Sequence, residues 1–471
     1  MFKKKHYIQS LPVLTAMLAS LALVGCESDS SDNDDAENGA TLPELSEEAV
    51  RPIVFVHGGA GSAAQYMSQA MRFASNGYPE NYIFAFEYHG VAPHNPAELD
   101  AFIDDVLAET GEEQVYLVTH SMGTYAGYEG PLLSGANYTG YLWVPEYAAK
   151  VAKFIGLDGL EAAECPGGVP CIGIFDEDDG RVLGENTFYL ADQEHVETAT
   201  SAESFAIQFT FLTGEEPTYT HIVPEDGPVD ISGRAVIFPN NTGTDGATLE
   251  VWPVDPDTGF RSGDTPMETY SIGADGSWGP TELDPDSHYE FTLIRTDHSN
   301  LHFYLQPLPR DTDLVRLNAS ATGSEILANT NTGEDHSTLV VTRQREWIAD
   351  APDGERDELW ISTVSPQWGN QAEVNAIVEG VTNGNIALHI HDDESTPAHS
   401  SLELLNYFPD QAFQSGVDVY MPASDYPADD NPGTITLRSV PHGNDGAEQI
   451  LNVPNWPSAS DRISVQFNDW W

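Results

Sequence analysis

Val115-Tyr116-Leu117-Val118-Thr119-His120-Ser121-Met122-Gly123-Thr124-Tyr125-Ala126-Gly127 is the stretch that decides how the rest of this 471-residue chain is read. Its apolar and β-branched first half has the length and texture of a buried strand. The chain then turns sharply through Thr119–Gly123, and the small residues Gly123, Thr124, Ala126 and Gly127 are expected to start a helix. A serine at such a strand–turn–helix junction stands exposed at the carboxyl edge of a parallel sheet. Gly123 supplies the small neighbour that so tight a turn needs. Thr119 stands where the usual pattern has a glycine.

Upstream, Arg51–Val56 is a continuous apolar run, as in a strand buried on both faces, and it leads into His57-Gly58-Gly59-Ala60-Gly61-Ser62. Glycines let backbone N–H groups approach a ligand. With the serine turn downstream, the amides of Gly59 and Met122 are the candidate oxyanion-hole donors. The loop lacks the Lys-Ser/Thr ending of a phosphate-binding loop. Ala64–Ser75 has helical spacing and Tyr82–Phe86 reads as a strand. Asn95 caps a helix whose apolar face is Leu99, Phe102, Ile103, Val106 and Leu107. Only His89–His94 separate that strand from Asn95, too few residues for a helical lid. Past the serine, Tyr128, Tyr138, Tyr141 and Trp143 are placed either to rim a hydrophobic cleft or simply to pack.

Downstream, the strand Lys153–Leu157 delivers Asp158 at its end. The strand Thr187–Leu190 precedes His195, and an apolar-periodic helix follows over Ala202–Leu212. Ser121, Asp158 and His195 stand in the chain order of an α/β-hydrolase triad, each after a strand. The chemistry needs this trio. A serine hydroxyl attacks a carbonyl only when a base takes its proton, a histidine can do so near neutral pH, and a carboxylate fixes the histidine tautomer. Asp176, Asp178 and Asp179, after the strand-like Cys171–Phe175, are alternative acids. His89 and His94 precede the serine and break the order, and His57 reads as structural.

The ends of the chain carry other signals. Lys3, Lys4 and Lys5 followed by apolar Leu11–Val24 form an export signal. It closes on Leu23-Val24-Gly25-Cys26, like the lipobox of bacterial lipoproteins, so Cys26 is the expected lipidation site. Glu27 after the cysteine points to outer-membrane or surface display. The acidic, Ser/Asn-rich stretch to Glu48 reads as a tether. Cys165 and Cys171 in an exported chain predict a local disulfide. A formal charge of −57 argues against binding nucleic acid. From about Ile222, short alternating runs between turn clusters give an all-β texture. His389 and His391 alternate on one such run before Asp392 and Asp393, and read as a polar sheet face rather than a metal site.

FVHGGAGSAAQYMSQAMRFASNGYP, THSMGT, KVAKFIGLDG and EHVETATSAESFAIQFTFLTG together resemble the archaeal (Archaeoglobus-type) lipase that carries a C-terminal β-barrel domain, itself similar to bacterial class 2 lipases. YFPDQAFQSGVDVYMPA and DRISVQFNDWW extend the resemblance through nearly the whole mature chain. Matched residue by residue, it implies Ser121, Asp158 and His195 as the triad and Gly59 and Met122 as the oxyanion amides, with a bulkier family residue at Gly59. That family has a long helical lid before the helix matching Ala97–Glu109, which this chain lacks.

These readings give an α/β plus all-β fold: a signal peptide at 1–25, a tether at 26–48, an α/β-hydrolase domain at 49–221, and β modules at 222–318 and 319–471. The expected function is a serine ester hydrolase with an open site, a hydrophobic ester substrate, no cofactor, no metal, and membrane attachment through the N-terminal lipid. An aliphatic polyester depolymerase is its neighbour. A non-catalytic surface binding protein on a hydrolase scaffold is the rival from another class.

Overall fold

The computed structural model describes residues 42–46, 49–191, 193–349, 356–365, 369–370, 373–378, 384–393, 400–405, 413–424, 426–428, 432–442 and 448–468. The signal segment, Cys26 and most of the tether lie outside them. Up to residue 213 the chain runs β1 (Ile53–Val56), α1 (Met67–Ser75), β2 (Ile83–Phe86), α2 (Pro96–Thr110), β3 (Val115–His120), β4 (Glu129–Pro131), β5 (Asn137–Thr139), α3 (Pro145–Ala148), β6 (Val151–Leu157), β7 (Cys171–Phe175), β8 (Thr187–Tyr189), α4 (Glu197–Thr200) and α5 (Ala202–Thr213). The main sheet has the order β2-β1-β3-β6-β7-β8, and every pairing in it is parallel.

Strand alternation splits the core in two. Val54, Val56, Val115 and Leu117 face α2 through Leu99, Ile103 and Val106. Ile53, Phe55, Tyr116 and Val118 face α1 and α5 through Phe73, Phe205, Phe209 and Leu212. The expected cap holds α2: the Asn95 side chain accepts from Ala97 N at 3.0 Å, and Gly111 closes the helix at φ 76°. The β2–α2 connection contains no helix. Pro43, within the stretch read as tether, already touches the domain, because a Cβ on Gly77 would stand 1.9 Å from its carbonyl oxygen.

Helix α1 departs from the usual one-sided pattern. Phe73 packs toward the hydrolase sheet, while Met67 and Met71 enter the core of the β half. Arg72 is therefore fully buried; its Nε donates to the Thr220 carbonyl and its Nη1 to Gln69 Oε1 and the Thr200 carbonyl, while Nη2 is buried without a partner.

The β half continues as β9 (Val229–Phe238), β10 (Thr242–Gly243), β11 (Thr248–Val254), β12 (Glu268–Ser271), β13 (Ser277–Leu283), β14 (His288–Ile294), β15 (Asn300–Leu305), β16 (Thr312–Ser320), α6 (Glu325–Asn329), β17 (Leu339–Trp347), β18 (Glu358–Ser365), β19 (Gly369–Asn370), β20 (Val374–Asn375), β21 (Asn385–His391), β22 (Gln414–Asp418), β23 (Thr434–Val440), β24 (Gln449–Pro454) and β25 (Asp461–Gln466). One sheet, β12-β11-β14-β15-β25-β17-β21-β22, runs across the position where two modules were expected to meet. Strand β25, near the end of the chain, makes this possible by inserting parallel between β15 and β17. A buried ionic cluster pins the insertion. His302 on β15 donates to Glu290 on β14 at 2.7 Å and to Asp461 on β25 at 2.9 Å, and Arg261 binds Glu290 at 2.7 and 2.9 Å.

Candidate active site

Ser121 lies at the end of β3 with φ 49°, in the left-handed region. A non-glycine residue there is strained, and such strain is typical of a serine held out at a sharp turn. Two close approaches enforce the turn. A Cβ on Gly123 would lie 2.4 Å from the Val56 carbonyl oxygen, and one on Gly58 would lie 2.9 Å from Ser121 Cβ. Thr119, the departure from the usual glycine, is accommodated by donating its hydroxyl to the Ile155 carbonyl at 3.0 Å. The segment after the serine differs from expectation. Ser121–Gly127 forms 3-10 turns rather than an α-helix, and β4 and β5 follow as a hairpin. Gly123 and Gly127 disfavour a regular helix there.

Ser121 Oγ lies 2.8 Å from His195 Nε2, and His195 Nδ1 is hydrogen-bonded to Asp158 Oδ2. The carboxylate is buried at 4 % exposure, whereas the imidazole is 30 % exposed. Burial would raise the Asp158 pKa, but the bond to His195 and the charges of His195 and Arg181 outweigh it and hold it down to about 2. For His195, burial works downward and Asp158 upward, and the net direction is up. The alternative acids have another partner: Arg181 binds Asp158 at 2.8 Å, Asp176 at 2.6 Å and Asp179 at 2.8 Å. Asp176 and Asp179 thus hold the arginine that neutralises Asp158, and Asp178 is exposed.

Of the other histidines, His57 is buried between Glu87, at 3.1 Å, and the Gly58 carbonyl, stacked on Tyr88. His94 is buried against Phe86 and Tyr88, which pushes its pKa down to about 4. His89 contacts the Asn240 carbonyl. None of the three is hydrogen-bonded to Ser121. Gly59 and Met122 face each other: a Cβ on Gly59 would sit 3.6 Å from Met122 Cε.

Several site residues went unnoticed in the sequence because the partners through which they act lie far along the chain. His120 Nε2 meets the His195 carbonyl at 2.9 Å, and its Nδ1 meets the Gln65 amide at 2.7 Å. A carbonyl only accepts, so Nε2 carries the proton and Nδ1 accepts from Gln65. Burial keeps this ring neutral by pushing its pKa down to about 3. Asn241, from the β half, donates to the carbonyls of Gly61 and Tyr88 and to Glu87 at 2.8–3.0 Å, fastening the glycine loop from behind. Glu346 on β17 accepts from Val196 N at 2.5 Å and Glu197 N at 3.1 Å, directly after His195. Phe413 lies parallel to the His195 ring at 6.1 Å.

Ser121, His195, Gly59 and His120, with the glycine loop through Gln65 and with Val196, open into a cavity of about 250 Å³ whose other walls come from the β half, including Phe238, Phe303, Phe413, Val340 and Ala387. The aromatic loop after the serine contributes nothing to it. Tyr138 instead donates to the His94 carbonyl, and Trp143, which is exposed, donates to the Gly127 carbonyl, so neither ring rims the cavity. Cys165 and Cys171 form the expected disulfide. His389 lines the cavity hydrogen-bonded to Gln414, and no group of three or more potential metal ligands occurs among the described residues.

The family model for class 2 lipases matches residues 50–160, the model for the lipase C-terminal domain matches 227–322, and a further C-terminal-domain model matches 325–471. The first spans Ser121 and Asp158 and stops short of His195. Among solved structures, the Bacillus licheniformis lipase BlEst2 in propeptide form is 10% identical over 88% of this chain and 95% of its own, with a TM-score of 0.26. A histidine-to-alanine variant of PytH is 22% identical over 25% of this chain and 44% of its own, at 0.18. The hypothetical protein PA1622 from Pseudomonas aeruginosa PAO1 is 17% identical over 24% and 37%, at 0.16. This chain thus spans less than half the length of the latter two. Superpositions this loose carry no argument, and the fold rests on the strand order and the family matches.

Proposed function

We propose that this chain, which the class 2 lipase model matches at residues 50–160 and the lipase C-terminal-domain model at 227–322, is a serine carboxylic-ester hydrolase working through an acyl-enzyme on Ser121. The observation that carries this reading is the continuous hydrogen-bonded line Ser121–His195–Asp158 at the mouth of the cavity. His195 Nε2 takes the hydroxyl proton as Oγ attacks the ester carbonyl. Asp158 holds the tautomer with Nδ1 protonated and stabilises the imidazolium that forms. The amides of Gly59 and Met122 receive the oxyanion. Collapse expels the alcohol, protonated by His195, and water then enters by the same route in reverse to release the acid.

The site works without a helical lid, and the β half forms its roof and binds the hydrophobic part of the substrate. Mature protein is held at a membrane by lipid on Cys26, so Cys26→Ser should release it into the soluble fraction. Rates on p-nitrophenyl esters of graded chain length test the central reading. Wild type should turn them over, and Ser121→Ala should keep only about 10³–10⁴-fold over water. Turnover by the variant at the wild-type rate would end it.

A further inference from the structure

In a chain with 75 acidic and 18 basic residues, guanidinium groups are expected to sit in ion pairs. Arg295, Arg316 and Arg462 all line the cavity above Ser121, and among the described residues none has a carboxylate within ion-pair distance. Their partners are neutral oxygens: the Ser320 carbonyl for Arg295, Asn241 Oδ1 for Arg316, and the carbonyls of Ser458 and Asp461 for Arg462. Each Nε is buried without a partner. Burial lowers the pKa of all three; Glu87 opposes it only in part for Arg316 and Asp461 only in part for Arg462, and nothing opposes it for Arg295.

Strand register fixes where they stand. Leu301 pairs with Leu293 on one side and with Arg462 on the other, so Arg462 shares the sheet face of Leu293, and Arg295 follows at the same parity two residues on. The next row on that face is Phe303, Ser464, Val340 and His389, and the row after it is Leu305, Gln466, Thr342 and Ala387. The strand then reaches Gln344, whose amide donates to the Ala64 carbonyl beside the glycine loop. From the level of Gln344 back to that of Arg462 is six residues, about 20 Å of strand. On the opposite wall, Arg316 stands near the glycine loop through Asn241, and Ser320, which meets Arg295, lies four residues or about 13 Å further. Ser121 thus sits at one end of the cavity, the apolar Phe303, Val340, Leu305 and Ala387 alternate with Ser464, His389, Gln466 and Thr342 in the middle, and two guanidinium groups without a carboxylate partner stand at the other end.

We propose that this far end is an anion subsite, in which Arg295 and Arg462 receive a carboxylate at the remote terminus of the acyl chain whose ester carbonyl lies at Ser121. The favoured substrates are half-esters of long dicarboxylic acids and oligoesters that end in a free acid. The positioning of the ester at Ser121 rests on the function proposed above, whereas anion binding does not.

Two measurements separate the two claims. The first compares kcat/KM for the mono-p-nitrophenyl ester of dodecanedioic acid with that for p-nitrophenyl dodecanoate. Wild type should favour the acid-terminated ester by about tenfold, chiefly through KM, since a charge-assisted pair is worth about that much. Arg295→Gln and Arg462→Gln should each erase the preference while retaining turnover of the neutral ester. The second is calorimetric binding of dodecanedioate, dodecyl phosphate and 1-dodecanol to the Ser121→Ala protein. Dodecanedioate should bind more tightly than the alcohol and lose that advantage in either arginine variant. Equal kcat/KM for the two esters, or a preference unchanged in both arginine variants, overturns the proposal. Binding of dodecyl phosphate without dodecanedioate replaces the carboxylate with a phosphate ligand. If neither ester is hydrolysed but dodecanedioate binding depends on the arginines, the hydrolase reading fails and the anion subsite stands.

Discussion

Replacing Glu346 by glutamine should stabilise the protein in mild base and destabilise it in mild acid. The carboxyl is 2 % exposed, and burial raises its pKa from 4.5 to about 7 despite the amides of Val196 and Glu197 that it accepts. The folded value lies above the unfolded one, so the native state holds the proton more tightly. Stability is therefore greatest below the ordinary carboxylate range and falls as pH rises to about 7. At about 1.4 kcal/mol per pKa unit, ionising Glu346 in the native state costs about 3 kcal/mol above that pH. Glutamine escapes this cost but turns an NH₂ toward one of the two amides, losing about 1–2 kcal/mol. The difference leaves Glu346→Gln about 1–2 kcal/mol more stable than wild type near pH 8.5 and less stable near pH 5. The variant also removes a negative charge that raises the His195 pKa, so the acid limb of kcat/KM should move to lower pH. Urea unfolding at several pH values, beside a pH–rate profile, measures both. Parallel stability curves for the two proteins across this range would refute the reasoning.

Other outcomes follow from the same geometry. Asp158→Asn should lower kcat by about 10⁴, because an amide cannot hold the required imidazole tautomer, whereas Asp179→Asn should cost far less; the reverse order of effects would move the catalytic acid into the later acidic run. Asn241→Ala should lower kcat more than it raises KM, since it releases the Gly61 and Tyr88 carbonyls behind the glycine loop, and steady-state kinetics beside a melting curve would show whether the loss is merely one of folding. Rate against substrate concentration should pass the solubility limit of a short-chain ester without a jump, because no helix stands between β2 and α2 to act as a cover; a sigmoidal rise at the emulsion boundary counts against the open site.

What was legible in the chain was local. The strand pattern at Val115–His120 and the turn at Ser121 are fixed by residues adjacent to one another, and so is the cap at Asn95. Asp158 could be singled out because it ends a strand, and His195 because chain order requires a histidine there. What stayed hidden depends on contacts between distant segments. Glu346 and Asn241 carry no local mark, since one is a charged residue in an alternating strand and the other a turn asparagine. Their roles arise only when β17 and the β9–β10 turn dock on the hydrolase loops. The same holds for β25, whose insertion between β15 and β17 no periodicity could announce. The aromatic loop was open to two readings because its composition suits a cleft wall and plain packing equally; only the long-range contact of Tyr138 with the His94 carbonyl and the loop's absence from the cavity lining decide between them.

The most direct test of the account is to treat the protein with a fluorophosphonate and locate the adduct by peptide mass spectrometry. A single adduct on Ser121, forming in step with loss of ester hydrolysis and abolished in the Ser121→Ala protein, is the result predicted here. Full inhibition with the label on another residue, or hydrolysis that persists with Ser121 fully labelled, would contradict it.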